Sequence, residues 1–544
     1  MVITDLLSRN AQLYGNEVSL VELNPAQLET NGLNWHEFEN NNMQPHTDFR
    51  REISWKEFDD QANRFANFLL SRNFGKGKKI AILMVNCLEW LPIYFGILKS
   101  GAMAVPLNFR YTAEEIKYCI KLSEADALVF GQAFVQRMDE IKDDIPRVKT
   151  MLFVGQDTPT YAEDYPQVTA DFSTQAPAVM LQPEDDAAIY FSSGTTGFPK
   201  AILHDHASLY SACVTEQKHH SQNREDNFLC IPPLYHTGAK MHWFGSLLAG
   251  SKAVLLCGVK PQWILQAISD ERATIVWLLV PWVQDILDAI ESGAINPEEY
   301  HLEQLRLMHI GAQPVPPSLV KRWLKHFPHH AYDTNYGLSE SIGPGCVHLG
   351  VENINKVGAI GKAGYGWQIK IVDEYKETVN PGSVGELAVK GPGVMKCYFN
   401  DPEATRAVLN DGWLFTGDMA KMDEDGFVFL VDRKKDVIIS GGENIYPVQI
   451  EDFLRTNEAV KDVAVIGVPD KRLGEIPAAI IALKQDYQLT TAEVNQFCEK
   501  LPRYKRPRRV IFADVPRNPT GKIEKPKLRT MYCGEGLIAS QING

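Results

Sequence analysis

The sequence predicts a layered α/β protein in two parts: a large N-terminal domain of layered α/β subdomains that includes a small β-barrel, then a smaller α+β C-terminal domain. Three observations carry that expectation. Through roughly the first two thirds of the chain, short apolar runs alternate with amphipathic stretches of helical period, as in sheets covered by helices. From about Lys356 the texture changes to short strand-like runs punctuated by glycine, as in VGAIGKAG, PGSVGELAVKGPGV and DGWLFTGD, the spacing of a small barrel or sheet. After Asp432 strands and helices mix again. At 544 residues the chain exceeds what one hydrophobic core organises. The expected division is 1–432 for the N-terminal domain, 433–435 for a hinge and 436–544 for a mobile C-terminal domain.

Element by element, Lys79–Val85 reads as a strand and Leu88–Lys99 as a helix stopped at Gly101. Thr112 and Glu115 have the spacing of a capping box ahead of a helix carrying Ile116, Tyr118 and Ile120. Asp126–Phe130, Asp186–Phe191, Ala253–Leu256 and Thr274–Val280 read as strands, and Pro261–Ile268 as a helix. The apolar stretch Ala273–Val283 is too short to cross a bilayer and reads as one buried strand. Beyond Asp432, Val437–Ile439, Val463–Ile466, Ala478–Leu483 and Val510–Phe512 read as strands. Pro447–Arg455 and Thr491–Leu501 read as helices, the second with Thr490 and Glu493 at capping-box spacing. The Asn-rich segment from about Asn24 to Arg51 has no period and reads as a surface excursion.

Composition excludes several classes. A hydrophobic fraction of 44% and a charged fraction of 23% are ordinary for a globular protein. The formal charge of −13 argues against nucleic acid and anionic membrane as partners. The first residues, MVITDLLSRN, lack a basic region followed by an apolar core, and the closing SQING is no lipid or peroxisomal address. The nine cysteines form no CxxC pair, so reduced buried thiols in a cytoplasmic protein are expected rather than zinc or disulfides. Small molecules are the expected partners, and the sequence leaves room for a homo-oligomer.

The strongest chemical signal is Tyr190–Lys200, YFSSGTTGFPK. Here a strand runs into Ser192, Ser193, Gly194, Thr195, Thr196 and Gly197, with Lys200 close behind. Bare backbone N–H groups, hydroxyls and an ammonium in one loop suit phosphate oxygens. Pro199 and Ala201 stand where a Walker loop needs other residues, so this is a different phosphate loop.

The loop resembles the phosphate loop of the adenylate-forming superfamily, which holds acyl-CoA synthetases, luciferases and peptide-synthetase adenylation domains. The other motifs follow in the family's order, from about residue 180 to 525. Gly311-Ala312-Gln313-Pro314 and Asn335-Tyr336-Gly337-Leu338-Ser339-Glu340 are similar to its nucleotide-binding motifs. The resemblance implies that Tyr336 stacks on adenine, Asn335 meets its amino group, Ser339 bonds the α-phosphate and Glu340 holds Mg²⁺. Threonine is commoner at the Ser339 position, but the hydroxyl is kept. By the same resemblance Asp418 and Arg433 contact ribose and Lys435 is the hinge. Gly441, Gly442 and Glu443 border the coenzyme A tunnel, and Lys522, in Pro519-Thr520-Gly521-Lys522-Ile523, is the catalytic lysine of adenylation. His236, in PPLYHTG, matches the family's aromatic motif beside the acyl pocket; Trp243 and Phe244 are expected either to line that pocket with Ile342–Gly345 or to belong to the core. The basic cluster Arg503, Lys505, Arg506, Arg508 and Arg509 is expected either to grip coenzyme A phosphates or to be plain charged surface.

The resemblance implies an ATP-dependent carboxylic acid:CoA ligase that works through an acyl-adenylate, with ATP, Mg²⁺ and coenzyme A as co-substrates and cofactor. Two other readings stand beside it: an adenylating enzyme that loads a carrier protein or another acceptor, and a non-catalytic acyl or nucleotide sensor. The retention of Glu340, Asp418, Arg433 and Lys522 together weighs against the sensor. Fatty, alicyclic, aromatic and steroidal acids all remain open as substrates.

Overall fold

Two sheets built mostly of parallel strands share one buried layer of helices in this computed structural model. The structure describes residues 1–25, 48–192, 199–311, 315–343, 347–348, 351–356, 358–440, 443–485, 487–517 and 523–533. One sheet has seven strands, in the order Ala331–Asp333, Leu307–Gly311, Ile275–Leu279, Asn227–Cys230, Lys252–Leu256, Val18–Leu23 and Arg50–Ser54. Among the described residues its only antiparallel pair is the last, Val18–Leu23 with Arg50–Ser54. The Asn-rich segment therefore joins two neighbouring strands, and most of it lies outside the described residues. The second sheet has eight strands, centred on Lys79–Leu83, Met103–Pro106 and Asp186–Ser192. It turns antiparallel where Asp186–Ser192 pairs with Lys200–Asp205, and that strand with Cys397–Tyr398.

The core between these sheets explains the apolar periodicity. Ile80, Ile82 and Val129 from one sheet and Phe228, Leu255, Trp277 and Leu307 from the other point into the same cluster. The helix Trp90–Ser100 runs through it and is buried on every side, as its all-round apolar sequence requires. It stops where expected, at Gly101, whose φ of 82° suits glycine. Both expected capping boxes are formed, at Thr112–Glu115 and Thr490–Glu493. Trp243 and Phe244 belong to this shared core and are fully buried. Trp243 packs against Phe58 and Phe95 at centroid distances of 6.0 and 5.7 Å, so of the two expectations for these aromatics the core holds.

Two other readings are corrected. The strand expected over Thr274–Val280 is present as Ile275–Leu279, but the longer apolar run Ala273–Val283 is not one strand, because it continues as a helix over Val280–Glu291. Pro281 decides the break, since proline cannot donate to a sheet ladder but suits the first turn of a helix. The helix expected over Thr491–Leu501 is α-helical only to Phe497 and ends in a 3₁₀ turn over Cys498–Lys500.

The glycine-punctuated region forms the expected small barrel-like unit, a curled antiparallel sheet built on Gln368–Val372, Val384–Lys390, Trp413–Met422 and Val428–Arg433. The C-terminal part is a second five-stranded sheet, with the hairpin Val460–Asp470 and Gly474–Leu483 at its centre. Arg509–Phe512 adds to it in parallel.

Candidate active site

The site gathers where the strands of the seven-stranded sheet end, the place where open α/β sheets hold ligands. Ser192 and Lys200 pair with each other on the antiparallel strands that flank the glycine/threonine run. Ser193, Gly194, Thr195, Thr196 and Gly197 lie outside the described residues. The Lys200 ammonium sits 4.6 Å from the ring centre of Tyr398, a cation–π contact. On the same ring, the Tyr398 hydroxyl donates to Glu340 Oε1 at 2.9 Å. Burial and the neighbouring Glu340 push that phenol far above its ordinary pKa, so it stays a donor. Tyr398 thus places the expected phosphate lysine and the expected metal carboxylate around one side chain. The sequence reading missed it.

Ser339 is held from two sides. The His204 Nε2–H donates to its carbonyl at 2.8 Å, and its hydroxyl lies 3.3 Å from that of Thr237. Burial lowers the His204 pKa to about 4, so the ring stays neutral and this bond persists at ordinary pH. Thr237 begins the helix Thr237–Ala249, which His236 caps: its ring Nδ1 accepts the Gly238 N–H at 3.1 Å. The half-buried His236 therefore has a local structural task besides any contact with substrate.

A second constellation stands across from this one. Asp418 and Arg433 are direct neighbours on adjacent strands, with Arg433 Nε 3.3 Å from Asp418 Oδ1. The other oxygen of Asp418 accepts the Tyr336 hydroxyl. Both Asp418 and Tyr336 are buried. Tyr336 follows Asn335 in a two-residue strand, and Asn335 Nδ2 is buried without a partner. An orphaned amide donor beside a buried tyrosine is what a purine edge would satisfy. Gly337 passes directly against Gly343, where a side chain would meet backbone at 2.8 Å. Gly311 ends its strand here, while Ala312, Gln313 and Pro314 lie outside the described residues.

The joint to the C-terminal part is densely charged. Asp432 is buried and accepts the Arg433 and Val448 N–H groups at 2.7 and 3.0 Å, and burial pushes its carboxyl up to about 6. Lys525 is buried too and pairs with Glu451 at 2.9 Å, while Arg529 pairs with Asp436 at 2.8 Å. Lys435 is exposed beside them, and Glu443 is exposed at the start of a short strand. Gly441, Gly442 and Lys522 lie outside the described residues. In the basic cluster, Arg506 donates to the Leu501 and Glu499 carbonyls and Lys505 to Gln449, so those two cations serve the local fold.

A network of fully buried ionisable groups lies behind the site, unforeseen from the sequence. His220 places Nδ1 2.7 Å from Glu216 and Nε2 3.1 Å from Asp333, and His242 Nδ1 bonds the same Glu216. The His220 Nε2 also meets His309 Nδ1 at 3.2 Å. Burial alone would lower the His220 pKa, but Glu216 and Asp333 outweigh it and lift it to about 10. His309, by contrast, is driven by burial to about 3 and stays neutral. The hidden signal was local: His220 and Glu216 are one helical turn apart. The other partners come from distant strands.

Comparison with known proteins agrees with this geometry. Residues 36–399 match the AMP-binding enzyme family, and residues 449–522 match the AMP-binding enzyme C-terminal domain. The chain is 32% identical over 493 residues to the long-chain-fatty-acid–CoA ligase FadD13 of Mycobacterium tuberculosis, covering 90% of this chain and 95% of that one. It is 30% identical over 459 residues to a 2-succinylbenzoate–CoA ligase of Bacillus cereus, covering 84% and 89%. Among solved structures, the anthranilate CoA ligase AuaEII in complex with anthranoyl-AMP superposes with a TM-score of 0.84 at 25% identity, covering 98% of this chain and 97% of that one. These matches, over most of the chain, identify the protein as a member of the AMP-binding enzymes, in the acyl-CoA synthetase branch of the adenylate-forming superfamily.

Proposed function

We propose that the protein is an ATP-dependent carboxylic acid:CoA ligase that forms an acyl-adenylate, and that residues 1–432 carry the nucleotide and acid while 436–544 move about the hinge 433–435. The observation that carries this reading is the pairing of two constellations. Tyr336, Asp418 and Arg433 form a cradle for a nucleoside on one side. Ser339, Glu340, Tyr398 and Lys200 face phosphate on the other. The name of the relative FadD13 speaks of long-chain fatty acids and that of AuaEII of anthranilate, which supports acids as the substrate class without choosing among them.

A carboxylate approaching ATP meets strong repulsion, so catalysis consists mainly of alignment and charge neutralisation. Lys522, Lys200 and the Ser339 hydroxyl supply cations and donors around the α- and leaving phosphates. Glu340 suits Mg²⁺, a hard cation that takes one or two carboxylates alongside phosphate oxygens, and the ion's positive charge would offset that of the phosphates. The acid oxygen attacks the α-phosphorus and the bond to pyrophosphate breaks. The thiolate of coenzyme A then attacks the acyl carbon and the bond to AMP breaks. Lys522 and the thiol need similar space at different times, so Lys522 withdraws as Gly441, Gly442 and Glu443 swing in. The reaction is placed in the cytoplasm, where ATP, coenzyme A and reduced thiols coexist. Incubation with ATP, coenzyme A and a panel of carboxylates should yield AMP, pyrophosphate and thioester in equal amounts. Release of ADP in place of AMP would overturn the reading.

A further inference from the structure

The ligase reading gives no task to Lys240, which stands one turn into the helix Thr237–Ala249 and is 0% exposed. Among the described residues no carboxylate pairs with it, and burial pulls its pKa well below the ordinary lysine value. Its Nζ lies over three rings, 4.4 Å from the centre of Tyr190, 5.1 Å from Trp90 and 5.5 Å from Tyr94. Ring faces offset the burial of an ammonium only in part. A methionine would fill the same space without that cost. What methionine lacks is N–H donors. Lys240 gives its donors to two backbone carbonyls, Leu234 at 2.8 Å and Tyr235 at 3.3 Å. Charged or neutral, the group keeps two N–H bonds for them.

Those carbonyls belong to a turn that side chains must hold. Pro232 and Pro233 have no N–H, so the segment is ill suited to a sheet ladder. The buried Asn86 grips it from the other side: its Nδ2 donates to the Pro232 carbonyl at 3.0 Å, and its Oδ1 accepts the Leu234 N–H at 2.7 Å. The His236 N–H closes the turn on the Pro233 carbonyl at 3.0 Å. The next residue is Thr237, whose hydroxyl lies 3.3 Å from that of Ser339. Serine lacks the second Cβ substituent that stiffens a threonine side chain, so the aim of its hydroxyl depends on its neighbours. A relay of contacts thus runs from a buried amine, through a proline turn, to the hydroxyl expected at the α-phosphate.

We infer that Lys240 is a positioning residue for acyl-adenylate formation: by pinning the carbonyls of Leu234 and Tyr235 it seats Thr237 against Ser339 and so aims the Ser339 hydroxyl. The inference rests on the ligase reading. ATP-dependent pyrophosphate release tests it, first with a panel of carboxylates that includes octanoate, hexadecanoate, benzoate and anthranilate, then with the acid that the wild type uses best. Lys240→Met should lower kcat about tenfold and change KM for ATP by less than about twofold, since placement is lost rather than affinity. Thr237→Val should lower kcat by a similar factor, and Thr237→Ser, which keeps the hydroxyl, should restore most of it. In the double variant of Lys240→Met and Thr237→Val the losses should not multiply, because both changes cut one relay. The Thr237 pair tests the far end of that relay even where Lys240→Met folds poorly. An unchanged kcat in Lys240→Met or Thr237→Val, a loss confined to KM, no restoration by Thr237→Ser, or losses that multiply would overturn the inference and leave the ligase reading intact. Absence of pyrophosphate with every acid of the panel would overturn both.

Discussion

Tyr398 ties the phosphate side of the site together, and its removal should be felt in the chemistry. Its hydroxyl fixes Glu340, and its ring face carries Lys200. Tyr398→Phe keeps the cation–π contact and frees the carboxylate. The loss of one charge-assisted hydrogen bond predicts a fall of about tenfold in kcat/KM for pyrophosphate release, with little change in melting temperature. An unchanged rate in steady-state kinetics would count against a role for Tyr398. Residues of this kind mark the limit of sequence reading. Asn335, Tyr336, Ser339 and Glu340 were legible because they crowd into one motif. Tyr398 meets Glu340 across 58 positions and sits in no motif of its own. His204, 135 positions from Ser339, was hidden for the same reason.

Among elements, the helix Lys525–Tyr532 is tied by ion pairs to the C-terminal part beside the joint. Lys525 is buried among Glu451, Asp432 and Asp436, and the carboxylates overcome the burial that would lower its pKa, so it keeps its charge. Lys525→Met would leave the buried Glu451 with the Val465 N–H at 2.8 Å and, among the described residues, no cation nearer than Arg455 at 3.9 Å. Breaking a buried pair costs about 3 kcal/mol or more. The C-terminal part of the variant should unfold at a lower urea concentration than that of the wild type, read by limited proteolysis. Coincident midpoints would refute the assignment. Elements were more legible than contacts. Capping boxes and glycine stops are local chemistry, so the helices at Thr112 and Thr490 begin where the sequence says. The run Ala273–Val283 misled because apolar content alone does not separate a buried strand from the helix that follows it, and the one discriminating residue was Pro281.

For the whole molecule, buried histidines set the response to pH. His204 and His206 are lowered by burial to about 4 and His309 to about 3. Unfolded, each would titrate near 6.5, so the unfolded chain binds more protons below that value. Their contribution to stability is present above pH 6.5 and is lost as pH falls toward 4. His220 runs the other way. Raised to about 10, it contributes fully below pH 6.5, and that contribution fades as pH rises through 10. Melting temperature should therefore peak near neutrality and fall on both sides. His220→Gln should flatten the alkaline limb, and an alkaline limb as steep as that of the wild type would contradict the argument. At this scale the architecture was readable from texture, since alternating strands and helices and the glycine-rich barrel each leave a periodic trace. The buried ion network was not, because its charges come from separate strands and helices and sit among apolar neighbours.

The central claim is that one cavity activates the acid with Lys522 and later passes the acyl group to sulfur. It is tested most directly by Lys522→Ala assayed in the two half-reactions separately. The account predicts that the variant releases almost no pyrophosphate from ATP and acid, yet converts supplied acyl-adenylate and coenzyme A to thioester at close to the wild-type rate. Equal loss of both half-reactions would contradict it.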